Sequence, residues 1–108
     1  MIRGELWTVT GGTYASKPRP ALVTQDDAFS ETDSVTILPL TSHLVEAPLL
    51  RVRIGASQLS GLERDSDVMV DKLTTVRRSD VADRIGRLST EQMSTVERAL
   101  MACLGLAR

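Results

Sequence analysis

Arg19 stands between two prolines in Lys17-Pro18-Arg19-Pro20-Ala21-Leu22-Val23, at the mouth of an apolar run. Each proline fixes its own φ and pushes the residue before it toward extended backbone, so the guanidinium is presented from a defined place rather than from a mobile loop. Three other places carry groups able to act on a substrate. Thr41-Ser42-His43 ends a second apolar run, and in extended backbone His43 shares the face of Thr41. A histidine there is either a general base or a surface side chain just beyond the strand. Asp71, flanked by apolar positions in Asp67-Val68-Met69-Val70-Asp71-Lys72-Leu73, is either a strand-end hydrogen-bonding group or a base. Leu49-Leu50-Arg51-Val52-Arg53-Ile54 alternates and sets Arg51 and Arg53 on one exposed basic face, which is either merely solvated or part of a local phosphate track. A metal centre is not expected, because one cysteine, Cys103, and one histidine, His43, supply no thiolate or imidazole cluster.

These groups sit in a chain of 108 residues, enough for one domain with one core. Hydrophobic content of 42% and charged content of 25% exclude a disordered chain. The net charge of -1 provides no overall positive field, so contact with nucleic acid requires a local basic surface. Cys103 lies in the apolar run Ala99 to Leu104, where packing is its expected role, and a lone cysteine forms no intrachain disulfide. That run is too short to span a bilayer, and Met1-Ile2-Arg3-Gly4-Glu5 lacks the pattern of a signal peptide. A soluble, cytoplasmic protein is expected.

The elements that position the charged groups follow from period and punctuation. Glu5 to Thr10 alternates as a first strand, with Leu6 or Trp7 facing in. Gly11 to Ser16 reads as a flexible loop, Pro20 to Gln25 as the second strand, and Asp26 to Ser30 as one helical turn with Phe29 stapling it to the core. Val35 to His43 is a strand whose Pro39 suits an edge or a bulge. Arg51 to Ile54 and Asp67 toward Val76 are further strands, with Gly55 to Asp65 a loop between them. Arg77 to Asp83 reads as a helical turn capped by Ser79, before a short strand from Arg84 to Leu88. Ser89-Thr90-Glu91-Gln92 is a capping box, and Met93, Val96, Leu100, Cys103 and Leu104 form one helical stripe ended by Gly105. The pattern predicts a mostly β (α+β) fold, a small barrel with a C-terminal helix.

Four segments in this order resemble the MazF/PemK family of toxins: Arg3-Gly4-Glu5-Leu6-Trp7, Lys17-Pro18-Arg19-Pro20-Ala21-Leu22-Val23, Leu38-Pro39-Leu40-Thr41-Ser42 and Ile85-Gly86-Arg87-Leu88-Ser89. The resemblance spans nearly the whole chain. It implies an SH3-like, CcdB-like barrel that forms a homodimer, cuts single-stranded RNA (mRNA) at short motifs without a metal or other cofactor, and is restrained by a cognate MazE-like or other DNA-binding antitoxin. In the family the arginine of the Arg-Pro segment and the threonine of Pro-x-Thr-Ser carry the chemistry, and these match Arg19 and Thr41. Ser42, His43 and Asp71 join them as candidate catalytic or substrate-binding groups, and Lys17, Tyr14, Arg51 and Arg53 as candidate RNA-binding residues, with an antitoxin contact the alternative for Arg51 and Arg53. The first loop departs from the family pattern by looking shorter and lacking its common Gly-Ser-Glu-Gln stretch. In one branch an acidic residue acts as base beside an arginine two positions earlier; Asp71 matches the acid, but Met69 replaces the arginine, so that variant is not expected here.

Metal-free cleavage uses the neighbouring 2′-hydroxyl as nucleophile, so a site must take its proton, stabilise the phosphorane and protonate the leaving 5′-oxygen. The planar fork of arginine, which keeps its charge and donates two parallel hydrogen bonds to phosphate oxygens, suits Arg19 to the middle task. Thr41 would orient the phosphate or the 2′-hydroxyl. Two rivals remain on the same fold: a gyrase poison acting through Leu106 to Arg108, and a non-toxic SH3-like binding module.

Overall fold

Alternation in β1 (Glu5–Gly11) sends Leu6 to one face of a sheet and Trp7 and Val9 to the other, and both faces are covered. The computed structural model describes residues 1–11 and 15–106. Tyr14 and the centre of the expected first loop therefore lie outside the described residues, as do positions 107 and 108 of the C-terminal segment. β2 (Ala15–Val23) begins five residues before the expected strand, and Gly11 pairs with Ala15 at the head of the hairpin. The described ends of the predicted flexible loop, Gly11, Ala15 and Ser16, are thus strand.

β3 (Ser34–Thr41) is the central strand. It pairs with β2 through Ala21–Pro39, Leu22–Leu38 and Val23–Ile37, while β6 (Thr74–Arg77) and β5 (Ser66–Met69) follow one another along its other side. Pro39 is therefore not on an edge strand. It coincides with a bulge: between Ile37–Thr74 and Leu40–Val68 the partner chain makes a 3-10 turn over Val70–Lys72 and breaks the single strand that periodicity predicted. A proline offers no N–H there, so the ladder loses little by opening. β4 (Arg51–Ile54) pairs with β5, and β7 (Val81–Arg87) with β1, completing seven strands joined by antiparallel pairings.

Leu6, Leu22, Leu38 and Leu40 look toward Val52, Ile54, Val68 and Val96 in one core, and Val9, Ala21, Val23, Val35, Ile37 and Val76 form a second on the opposite face. Burial on both faces explains why β2 and β3 read as continuous apolar runs. The helix α1 (Thr90–Cys103) opens with the predicted capping box: Ser89 Oγ accepts from the Gln92 amide and the Gln92 side chain accepts from the Ser89 amide. Gly105, at φ 73°, closes it. Of the predicted stripe, Val96 is buried and Met93 and Leu100 pack partly against the core, but Leu104 and Cys103 are exposed. Packing is thus not the role of Cys103. Phe29 is 60% exposed and staples nothing, and Ser79 lies inside a 3-10 turn (Arg78–Asp80) that carries no side-chain cap.

Trp7, half-buried, donates its indole N–H to Glu5 Oε1, and Arg84 Nε donates to Glu5 Oε2. Burial pushes the Glu5 carboxyl up, but hydrogen bonds from the Ile2 amide, Trp7 and Arg84, with the Arg84 charge, outweigh it and hold the group below its ordinary value. A depressed folded-state value stabilises the protein above the unfolded glutamate value, and that contribution is lost as pH falls through the lower, folded one. Acidification through this window is expected to shift the emission of the single tryptophan before global unfolding, and Glu5→Gln should remove the step; a shift unchanged in Glu5→Gln overturns the assignment.

Among the described residues, no helix is long and apolar enough to cross a membrane.

Candidate active site

A cleft of about 410 Å³ opens between the hairpin β1–β2, the end of β3 and the segment between β4 and β5. Pro18, Arg19 and Pro20 line it from β2, Thr8 from β1, Leu40 and Ser42 from the end of β3, and Ile85 from β7. Arg19 and Lys17 are exposed, and Arg19 faces Val9 in the register of the hairpin. The β2–β3 ladder runs from Val23–Ile37 through Leu22–Leu38 to Ala21–Pro39, two residues short of Arg19 and Thr41, and Thr41, unlike its neighbours Leu40 and Ser42, is not among the described lining residues. The two groups matched by resemblance, 22 residues apart in sequence, thus stand on neighbouring strands, Arg19 in the cleft lining and Thr41 at the end of β3 beside it.

Thr41 is half-buried, and its Oγ1 accepts the His43 amide hydrogen at 3.1 Å. Its own hydroxyl hydrogen stays available to donate. This turn carries Ser42 into the cleft lining, whereas the exposed His43 is not among the described lining residues.

The two strand arginines do not form a free basic face. Arg51 Nη1 pairs with Asp71 Oδ1 and also donates to the Leu50 carbonyl, leaving the Arg51 side chain 16% exposed. Slight burial pushes the Asp71 carboxyl up, but the Arg51 hydrogen bond and charge, helped by Lys72, hold it below the ordinary aspartate value. A carboxylate so committed is a poor proton acceptor at neutral pH. Arg53 Nε donates to Asp67 Oδ1 at 2.7 Å, and Arg53 Nη2 lies 3.9 Å from Glu46. The hydrogen bond to Asp67 raises the Arg53 pKa further above its ordinary value.

Sequence reasoning passed over the cleft wall formed by Gly61, Leu62, Glu63 and Arg64. The segment read as a plain loop is in fact tied down. Ser60, 1% exposed, donates Oγ–H to the Gly55 carbonyl and accepts from the Ser57 and Leu62 amides, while the Ala56 amide donates to Asp65 Oδ1 and the Arg87 amide to the Leu59 carbonyl. Ser60-Gly61-Leu62 followed by Glu63-Arg64-Asp65, a turn running into charge, was the available signal. Arg64 thereby brings a second guanidinium to the cleft of Arg19, with Glu63 beside it. Among the described residues, no group of three or more His, Cys, Asp or Glu is placed to hold a metal ion.

A bulged, two-faced antiparallel sheet backed by one C-terminal helix, with an arginine-bearing cleft where the central strand ends, defines a small β domain with its candidate site at one end of the sheet. The chain belongs to the PemK-like, MazF-like toxin family of type II toxin–antitoxin systems, whose pattern matches residues 2–104. It is 46% identical over 108 residues to the protein named "Probable endoribonuclease MazF" of Mycolicibacterium smegmatis, covering 99% of both chains. It is 32% identical over 97 residues to the endoribonuclease EndoA of Bacillus subtilis, covering 88% of this chain and 83% of that one. Among solved structures, the Mycobacterium tuberculosis toxin MazF-mt6 superposes with a TM-score of 0.82 at 22% identity over 96% of this chain and 99% of the other. A mycobacterial endoribonuclease in complex with its cognate antitoxin superposes with a TM-score of 0.83 at 24% identity over 100% and 98%.

Proposed function

We propose that this chain, an endoribonuclease of the PemK/MazF toxin family, cuts single-stranded RNA at short sequence motifs by metal-independent attack of the 2′-hydroxyl on the adjacent phosphorus. The observation that carries the reading is Arg19, held between two prolines in the lining of the cleft where β3 ends. The 2′-oxygen forms a bond to phosphorus as the bond from phosphorus to the 5′-oxygen breaks. The 2′-hydroxyl proton leaves to a base and the 5′-oxygen gains one, so the products are a cyclic phosphate and a free 5′-hydroxyl. Arg19 clamps the developing phosphorane charge through its paired donors, and Thr41 orients the phosphate or the 2′-hydroxyl with the hydroxyl hydrogen that the His43 amide leaves free. Arg64 extends the positive lining toward flanking phosphates, and the exposed Lys17, two residues before Arg19, adds charge beside it.

The same reading includes a cytoplasmic homodimer neutralised by a cognate antitoxin, a partner supported by the similar mycobacterial endoribonuclease solved in complex with its cognate antitoxin. The experiment that tests the chemistry is cleavage of a single-stranded RNA by purified protein in excess EDTA, with end-group analysis of the products. Cleavage within about twofold of the untreated rate and a cyclic phosphate terminus are expected. Strict dependence on magnesium, or products bearing a 5′-phosphate, would reject the scheme.

A further inference from the structure

The register of three strands lays a polar row across the sheet beside the site. Arg53 of β4 faces Asp67 of β5, and Asp67 faces Thr41 of β3. Opposed antiparallel residues place their Cβ atoms about 4.5–5.5 Å apart on one face, so Asp67 is the immediate cross-strand neighbour of Thr41. Its carboxylate is 1% exposed, and each oxygen has its own partner. Oδ1 accepts from Arg53 Nε at 2.7 Å, and Oδ2 accepts from the Val45 amide at 3.2 Å.

Val45 belongs to the stretch from Ser42 to Leu50 that leaves β3 directly after Thr41 and carries the exposed Ser42, His43 and Leu44. Thr41 Oγ1 holds the second amide of this stretch, that of His43, and Asp67 holds the amide two residues on. Glu46 then approaches Arg53, the counter-charge of Asp67. A buried carboxylate stripped of one donor is costly, so the Asp67–Arg53 pair and the Val45 contact support one another.

Resting on the endoribonuclease reading, we propose that Asp67 and Arg53 are positioning residues of the active site: one latch that holds the turn after Thr41, and with it the Thr41 hydroxyl and Ser42, in the reactive arrangement. Arg53 is thereby removed from the set of RNA contacts. Its guanidinium works through Asp67, and the latch acts on the turnover step rather than on affinity.

The test has two arms. In RNA-free protein, amide hydrogen exchange at Val45 should be slow in the wild type and about tenfold faster or more in Asp67→Asn. In single-turnover cleavage of a short RNA, corrected to the folded fraction, Asp67→Asn and Arg53→Gln should each lower kcat by about 10- to 100-fold with KM within about threefold, and the double variant should be no worse than the stronger single. Arg53→Gln, altering a half-exposed side chain, carries the second arm should Asp67→Asn fail to fold. A wild-type Val45 amide that exchanges freely overturns the latch even if no RNA is cut, whereas a protected amide in a protein that cuts no RNA overturns only the endoribonuclease reading. If Arg53→Gln instead weakens RNA binding at unchanged kcat and reduces the salt slope by about 0.7, Arg53 is a phosphate contact and the proposal is wrong.

Discussion

Arg19→Ala is expected to lower kcat/KM for RNA cleavage by about 10²- to 10³-fold or more, the loss typical of removing one donor aimed at transition-state charge. The fold should not register the change. Arg19 is exposed, and the two flanking prolines that shape its backbone stay in place, so stability should move by no more than about 0.5 kcal/mol. Arg19→Lys restores charge but not the planar fork, and should recover only a small part of the activity. Rates on a short RNA measured beside thermal unfolding separate the two effects. Cleavage at the wild-type rate by a folded Arg19→Ala protein would end its assignment to the reaction.

Among the described glycines, Gly61→Ala should be the most damaging single added methyl. Gly61 has a φ of +69°, and a Cβ built there would lie 1.7 Å from the Ile85 carbonyl oxygen and 2.6 Å from its carbon. Both are backbone atoms of β7 that cannot rotate away. The left-handed conformation alone costs an alanine about 1 kcal/mol, and relief of the clash must lift the Ser57–Leu62 turn off β7, so a total of about 3 kcal/mol or more is expected. In a domain of this size that corresponds to a fall in Tm of about 12 °C or more. Because the same turn leads into Glu63 and Arg64, the cleft wall should move with it and cleavage should fall in the protein that remains folded. Gly55→Ala is the control, since its Cβ would meet only Asp65 Oδ1 at 3.8 Å, an ordinary contact. Equal Tm values for the two variants would show that the turn is not locked against β7.

Much of the architecture was legible because it is written in short-range patterns. The capping box at Ser89 and Gln92, the alternation of β1, and the helical turn begun by Asp26, whose Oδ1 accepts the Ala28 amide, are all satisfied by residues within a few positions of one another. Family membership was legible for a related reason: four short segments keep their order and spacing along the chain, and the match to residues 2–104 bears this out. The errors fall where a local signal was outvoted by something distant. Phe29 and Cys103 are apolar types that sequence reasoning buries by default, yet no other element reaches over them. The stretch from Asp67 toward Val76, read as one strand, hides a 3-10 turn over Val70–Lys72 that lies opposite Pro39 of the partner strand, a residue that stretch does not contain.

For the site, residue type and proline punctuation were enough to single out Arg19, since the constraint on its backbone comes from its own neighbours. The pairing of Arg51 with Asp71 and of Arg53 with Asp67, which turned an expected basic face into two committed ion pairs, could not be read in this way. Those partners lie 20 and 14 residues apart and meet only through the β4–β5 register and the turn that follows it. Composition and local period thus dictated a β fold with one capped helix and one presented guanidinium, because both act over a few residues. Which charges stay free to meet a substrate, and which loop becomes the wall of its cleft, was decided by strand register and by the close approach of Gly61 to β7, contacts that exist only once distant segments are brought together.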